Sequence, residues 1–202
     1  MSITNYSELK SSVADWLNRS DLTSVIPTFI ALGEGDIARD LRHMLQEKRV
    51  TALLDEEYEV LPSDWLETIN ARLTDDTPLK LISQDDMASY KAANRTAGKP
   101  RYYSLTTNRI EFYPTPDGDS SMELTYYARI PSLSDVTPTN WLLSNEPDVL
   151  LYASLKHAAP FLDDDERLGV WTTLYNQAVQ RLQMSADASR HSGPLVMRTK
   201  AI

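Results

Sequence analysis

Leu151-Tyr152-Ala153-Ser154-Leu155-Lys156-His157-Ala158-Ala159-Pro160-Phe161-Leu162 and, after a short acidic break, Leu168-Gly169-Val170-Trp171-Thr172-Thr173-Leu174-Tyr175-Asn176-Gln177-Ala178-Val179-Gln180-Arg181-Leu182 decide the fold. In the first, Leu151, Leu155, Ala158 and Leu162 recur at helical spacing after Pro147. In the second, Leu168, Trp171, Tyr175, Ala178 and Leu182 repeat at steps of three and four. Two amphipathic helices so close in sequence predict a helical hairpin, with residues 134–189 as the second part of a helical core. Its partner lies at the other end of the chain. Asn5 followed by Glu8 resembles a capping pair, and Tyr6, Leu9, Val13, Trp16 and Leu17 then mark a short helix over about residues 6–18. Asp21 is placed to cap a second helix whose stripe is Ile26, Phe29 or Ile30, Ile37, Leu41 and Met44 or Leu45. Pro27 fits its first turn, where no backbone N–H is needed. Gly33 and Gly35 each weaken this helix by roughly 1 kcal/mol relative to Ala, and the missing side chains permit close packing.

Between these ends the period falls toward two. Val50 to Leu54, Glu57 to Leu61, Thr68 to Leu73, Leu79 to Ile82, Arg101 to Leu105, Arg109 to Tyr113 and Met122 to Ile130 read as strands, with a short helix at Gln84 to Ala93. Thr107-Asn108 and Pro116-Asp117-Gly118 read as hairpin turns, so a single antiparallel sheet is the economical arrangement. The expected class is α+β: a helical core from residues 1–45 and 134–189, an inserted antiparallel β-rich region at 46–133, and an extended C-terminal tail at 190–202.

At 202 residues the chain is long enough to bury about 70% of its unfolded surface without cross-links. It has no cysteine, which removes disulfides, thiol nucleophiles and Cys-based metal sites. Met1 to Lys10 is polar where a secretory leader needs an apolar run, so none is expected, nor any membrane contact. The net charge is −9. Because Arg190, Arg198 and Lys200 sit in the acid-free tail, the remaining body carries 17 bases against 29 acids, a charge of −12. Such a body repels a phosphate backbone, so DNA is a poor candidate ligand, with a place as a neighbour left open.

Candidate chemistry is thin. Asp163-Asp164-Asp165-Glu166 and Asp117-Gly118-Asp119 lack the ligand spacing of a calcium loop and read as a helix start and a turn. Gly98-Lys99-Pro100 lacks the upstream Gly and the hydroxyl residue of a phosphate-binding loop. His43, His157 and His191 form no zinc pair, and there is no serine-hydrolase elbow; His157 reads as a satisfied core or interface histidine. No catalytic residue, metal or cofactor is expected. With 29 acids, a carboxylate-based hydrolase, for instance a cell-wall-degrading one, stands as the rival reading. Arg39, Arg42, His43, Lys48 and Arg49 concentrate positive charge at the end of the second helix and the start of the first strand. Arg39, Arg42, Lys48 and Arg49 are the candidate basic contact face, although cations at a helix C-terminus also complement its dipole. In the tail, apolar and basic residues are mixed after Gly193-Pro194. Leu195, Val196, Met197, Arg198 and Ile202 are the candidate partner contacts, docking as a strand or in an apolar groove.

Several runs carry a family resemblance. Ile26-Pro27-Thr28-Phe29-Ile30-Ala31-Leu32 with Glu34, Ile37, Arg39, Leu41 and Arg42 resembles the N-terminal helix of head-to-tail (portal) adaptor proteins of short-tailed bacteriophages and related prophages. So do Leu61-Pro62-Ser63-Asp64-Trp65-Leu66-Glu67, Tyr126-Tyr127-Ala128-Arg129-Ile130-Pro131-Ser132-Leu133-Ser134, Asn140-Trp141-Leu142-Leu143, Pro147-Asp148 and Ser192-Gly193-Pro194, in order along nearly the whole chain. The departure is Gly33 and Gly35, where stronger helix formers are expected. The resemblance implies a structural virion protein at the head–tail junction, made in the bacterial host cytoplasm. It implies a homo-oligomeric ring, a dodecamer, that binds the portal protein, forms the platform for the tail nozzle protein, has a tail fibre as a further candidate neighbour, and conducts DNA through its channel. A tail terminator or other ring protein would differ only in its neighbours.

Overall fold

The computed structural model describes residues 3–162 and 167–190; the acidic run 163–166 and the tail residues 191–202, with Leu195, Val196, Met197, Arg198 and Ile202, lie outside the described residues. The fold is α+β, and the chain divides into two compact units: Met1–Leu45 with Ile130–Ile202, and Gln46–Arg129.

The first unit is helical. Helix α1 (Tyr6–Leu17) begins where Asn5 Oδ1 accepts the Glu8 N–H at 3.0 Å, and Glu8 turns back to accept the Thr4 N–H at 2.7 Å. Helix α2 (Ile26–Asp40) carries Pro27 in its first turn, as expected. Asp21 does not cap it. That carboxylate forms a two-pronged pair with Arg19 at 2.6 Å, and α2 starts only at Ile26, behind Val25. Helices α4 (Trp141–Asn145), α5 (Pro147–Ala158) and α6 (Leu168–Arg190) complete the unit. Helix α5 lies at its centre, packed by α1, α2, α4 and α6, and buries Val149, Leu150, Leu151, Ala153, Ser154, Leu155 and Ala158. From α6 it receives Trp171, Tyr175, Ala178 and Leu182, all buried at the expected spacing. Leu168, expected in the same stripe, is 42% exposed because it stands at the helix start, beyond the packed surface. Met44 and Leu45 are likewise exposed, since α2 ends at Asp40 and the helical phase does not reach them.

The two glycines of α2 differ. A methyl group on Gly33 would come within 3.0 Å of the backbone carbonyl carbon and Cβ of Ala153 and 3.1 Å of the Ser154 nitrogen, so here the helices α2 and α5 touch backbone to backbone. On Gly35 it would meet only the Arg39 guanidinium, at 3.7 Å.

The second unit holds two sheets, not one. Strands β1 (Glu47–Leu54), β7 (Ser120–Ala128) and β3 (Trp65–Leu73) form an antiparallel sheet in the order β1-β7-β3. Strands β2 (Tyr58–Val60), β6 (Arg109–Tyr113), β5 (Tyr102–Leu105) and β4 (Lys80–Leu81) form the other, in the order β2-β6-β5-β4. Thr107-Asn108 is the tight turn of the β5–β6 hairpin, closed by the Thr106 N–H to Arg109 carbonyl bond at 2.9 Å. Asp117-Gly118 makes no hairpin. It carries the chain from β6 in one sheet to β7 in the other, with Gly118 at a φ of 88° that favours glycine. Strand β4 joins β5 in parallel, and α3 (Gln84–Ala93), capped by Ser83, supplies the crossover that a parallel pair requires. The inner faces meet in one core, with Leu54, Leu73, Met122, Leu124 and Tyr126 against Tyr103, Ile110 and Phe112.

Gly33→Ala is expected to destabilise the protein by about 1–3 kcal/mol, because the atoms it would strike, two of the backbone and the Ala153 Cβ, cannot swing away. Gly35→Ala is expected to be neutral or to stabilise by up to about 1 kcal/mol. Thermal unfolding of both variants tests this; equal effects would contradict the close-contact account.

Candidate functional site

Each unit is held by a few buried charges, and what those charges do bears on function. In the helical unit, Asp36 lies on the inward side of α2, where the apolar phase would place a hydrocarbon. Its carboxylate pairs with Arg39 one turn on and with Lys156 of α5, and lies 2.7 Å from His157 Nε2. The Lys156 ammonium also stands 4.4 Å above the centre of the Tyr175 ring. The Tyr175 hydroxyl donates to Asp40 Oδ2 at 2.8 Å, and Gln183 donates to the Asp40 carbonyl at 2.8 Å, so α2, α5 and α6 share one polar seam. Burial alone would raise the Asp36 pKa, but hydrogen bonds and charge from Lys156 and His157 outweigh it and hold the carboxyl below its ordinary value.

Two further ties fix the exit from the β unit and the re-entry into helix. Half-buried Glu34 accepts the Leu133 N–H at 2.7 Å, with its pKa pushed up by burial. Asn140 bridges the Pro131 carbonyl at 2.9 Å and the Leu143 N–H at 2.9 Å, capping α4. Within the β unit, Asp64 accepts from the Tyr126 hydroxyl at 2.9 Å and from Lys48 at 2.6 Å, while its carbonyl takes the Arg129 N–H at 2.6 Å. Burial first, then the Asp64 carboxylate, pushes the Tyr126 pKa up to about 12. The runs Leu61 to Glu67 and Tyr126 to Arg129 thus meet at β3 and β7.

Asp55 lies beside Glu59, whose pKa is raised by burial and then by that neighbouring carboxylate, and Glu57 and buried Glu111 form a second pair of carboxylates. Lys91 pairs with both of them, and Glu111 also accepts from Tyr58 at 3.0 Å and from Ser104 at 3.3 Å. Burial works against the Lys91 charge, but Glu111 and Glu57 outweigh it and raise its pKa. An ammonium fixed between two carboxylates occupies the place where a nucleophilic water would have to stand. Beside it lies an open hollow of about 300 Å³, lined by Gln84, Met87, Lys91, Arg95 and Glu111. Among the described residues no group of three or more His, Cys, Asp or Glu is placed to hold a metal ion, and no helix is long and apolar enough to cross a membrane.

The candidate basic residues fall into both units. Arg39 pairs with Asp36, and Arg42 donates to the Ala38 and Leu41 carbonyls at 3.0 and 2.8 Å, closing the C-terminal end of α2. Lys48 pairs with Asp64, and Arg49 lies 3.6 Å from Glu123. His43 stacks on Trp141 with ring centres 5.3 Å apart. The expectation for His157 as a satisfied histidine fits its bond to Asp36. Sequence reading missed Asp36, Lys91 and Glu111. Asp36 had a signal, an acid in register with Gly33 and Ile37 on an apolar helix face; Lys91 and Glu111 had none, because their meeting depends on how α3 crosses the sheet.

An Asp36→Asn variant is expected to lose about 2–3 kcal/mol at neutral pH, because Lys156 keeps a desolvated charge without its counter-ion. A depressed carboxyl pKa stabilises the fold above the unfolded value near 3.9, and that contribution disappears as pH falls through the folded value. Melting temperatures of wild type and variant should therefore converge below about pH 4. A gap that persists unchanged to pH 2 would contradict this assignment.

The family model described as SU10 adaptor protein matches residues 4–198, which includes every described helix and strand. No curated protein matches the chain. The match agrees with the resemblance read from the ordered motifs, whose residues serve here as structural ties: Glu34 to Leu133, Asn140 to Pro131, Asp64 to Tyr126 and Arg129. With a family model covering nearly its whole length, the chain belongs to the SU10 adaptor protein family, and it is a structural adaptor component of a bacteriophage virion.

Proposed function

We propose that the protein is the head-to-tail adaptor of its virion: a ring of twelve copies that binds the portal protein, presents the platform for the tail nozzle protein, and leaves a channel for DNA. The observation that carries this reading is the family match over residues 4–198. The chemistry of the chain supports it. Its buried carboxylates Asp36 and Glu111 are each engaged by a lysine, and an acidic body lets DNA pass without sticking. On this reading the protein is not an enzyme, and its work is done by contact surfaces repeated around a closed rotation.

The tail is the proposed portal contact. Leu195, Val196, Met197 and Ile202 supply apolar area, and Arg198 a charge for an acidic portal residue. Each copy binds weakly on its own, and the ring multiplies that affinity by holding many tails at high local concentration. Arg39 and Arg42 of the helical unit, and separately Lys48 and Arg49 of the β unit, are proposed as further contacts for an acidic neighbour or phosphate. Their chain-internal bonds hold the guanidinium and ammonium groups in place.

Co-sedimentation with purified portal tests this reading. The full chain should sediment with the portal, and a chain lacking residues 192–202 should bind at least about tenfold more weakly. Undiminished binding of the shortened chain would refute the tail assignment; absence of binding by the full chain would refute the adaptor reading.

A further inference from the structure

Helix α6 carries a second stripe that the core does not use. Its buried side is Trp171, Tyr175, Ala178 and Leu182. Two positions out of phase, on the opposite side, Val170, Thr173, Gln177, Gln180 and Met184 repeat the same steps of three and four, and all five are exposed. Val170 is 57% exposed and Met184 is 70% exposed, so the stripe ends in uncovered apolar groups with neutral amides and a hydroxyl between. Steps of three and four are what one helix needs to lay a continuous ridge against another.

Charge selects the partner. The chain has 29 acids, yet Leu168 to Ala186 contains none, and its one base, Arg181, is tied to Glu146 at 2.9 Å and Asp148 at 2.7 Å. A face built for a basic partner would be acidic, and one built for an acidic partner would be basic. A long neutral face on an acidic chain is where an identical chain approaches without like-charge repulsion, and protein interfaces are depleted of Lys, Glu and Asp at their centres. The same helical unit has a suitable receptor. A groove of about 340 Å³ between α1 and the start of α2 is lined by Ser7, Lys10, Ser11, Ala14, Ile26 and Pro27, and its one charge, Lys10, is neutralised by Asp135 at 2.9 Å.

We infer that the outer stripe of α6 seats in the α1–α2 groove of a second copy of this chain. The two surfaces differ, so the contact is head-to-tail and propagates around a ring instead of stopping at a dimer. This inference rests on the ring reading proposed above and names the faces that make the ring.

Because the chain has no cysteine, engineered thiols report the contact without background. Virions are assembled with a chain carrying Ser11→Cys and Gln177→Cys together, oxidised, and run on a non-reducing gel. A ladder at multiples of the 22.9 kDa chain, extending past the dimer, is expected from the double variant, and monomer from each single variant. Monomer alone from the double variant, or efficient dimer from Gln177→Cys alone, overturns the inference. Absence of the wild-type chain from virions overturns the adaptor reading beneath it, which separates the two failures. As a second measure, Thr173→Glu with Gln177→Glu changes only exposed side chains. The folded variant is expected at no more than a tenth of wild-type abundance in virions, and wild-type abundance would overturn the assignment.

Discussion

The backbone-to-backbone approach of α2 and α5 at Gly33 is the contact on which the rest of the helical unit depends. With any side chain there, α2 would stand off from Ala153 and Ser154. Asp36, one turn further along, would then lose its reach to Lys156 and His157. The polar seam to Tyr175 and Gln183 of α6 runs through Asp40 of the same helix, so the position of α6 depends on that approach as well. The interface is thus set by an absence of side chain at one position and an excess of charge at the next turn. Neither would be chosen for helix stability alone.

Each unit has a firm core of its own. Charged side chains inside each unit hold elements together: Asp36 between α2 and α5, Lys91 between α3 and the strands it covers, and half-buried Asp64 between β3 and β7. These ties serve the fold, which agrees with membership of a structural adaptor family.

The helices were legible because their period is carried by large residues such as Trp171, Tyr175 and Leu182, and because Pro27 and Asn5 mark their starts. The strands were legible from their alternation. The sheet count was not, because Pro116-Asp117-Gly118 has the composition of a hairpin but joins strands of different sheets; a turn sequence bends the chain without choosing the next partner. Asp21 misled for a related reason: Arg19, two residues away, competes for its carboxylate more strongly than a helix N-terminus does. Gly33 and Gly35 look alike in sequence, and only the course of α5 distinguishes them. The candidate basic residues were visible as a cluster, while their partners Asp64 and Glu123, distant in sequence, were not.

The account stands on one claim, that the exterior of this subunit exists to be covered by copies of itself and by the portal. Native mass spectrometry of the full chain, alone and mixed with purified portal, tests it most directly. The account predicts a species containing the portal and about a dozen copies of the 22.9 kDa chain, formed only on mixing. A chain that remains monomeric beside the portal at concentrations well above those of assembly would contradict it.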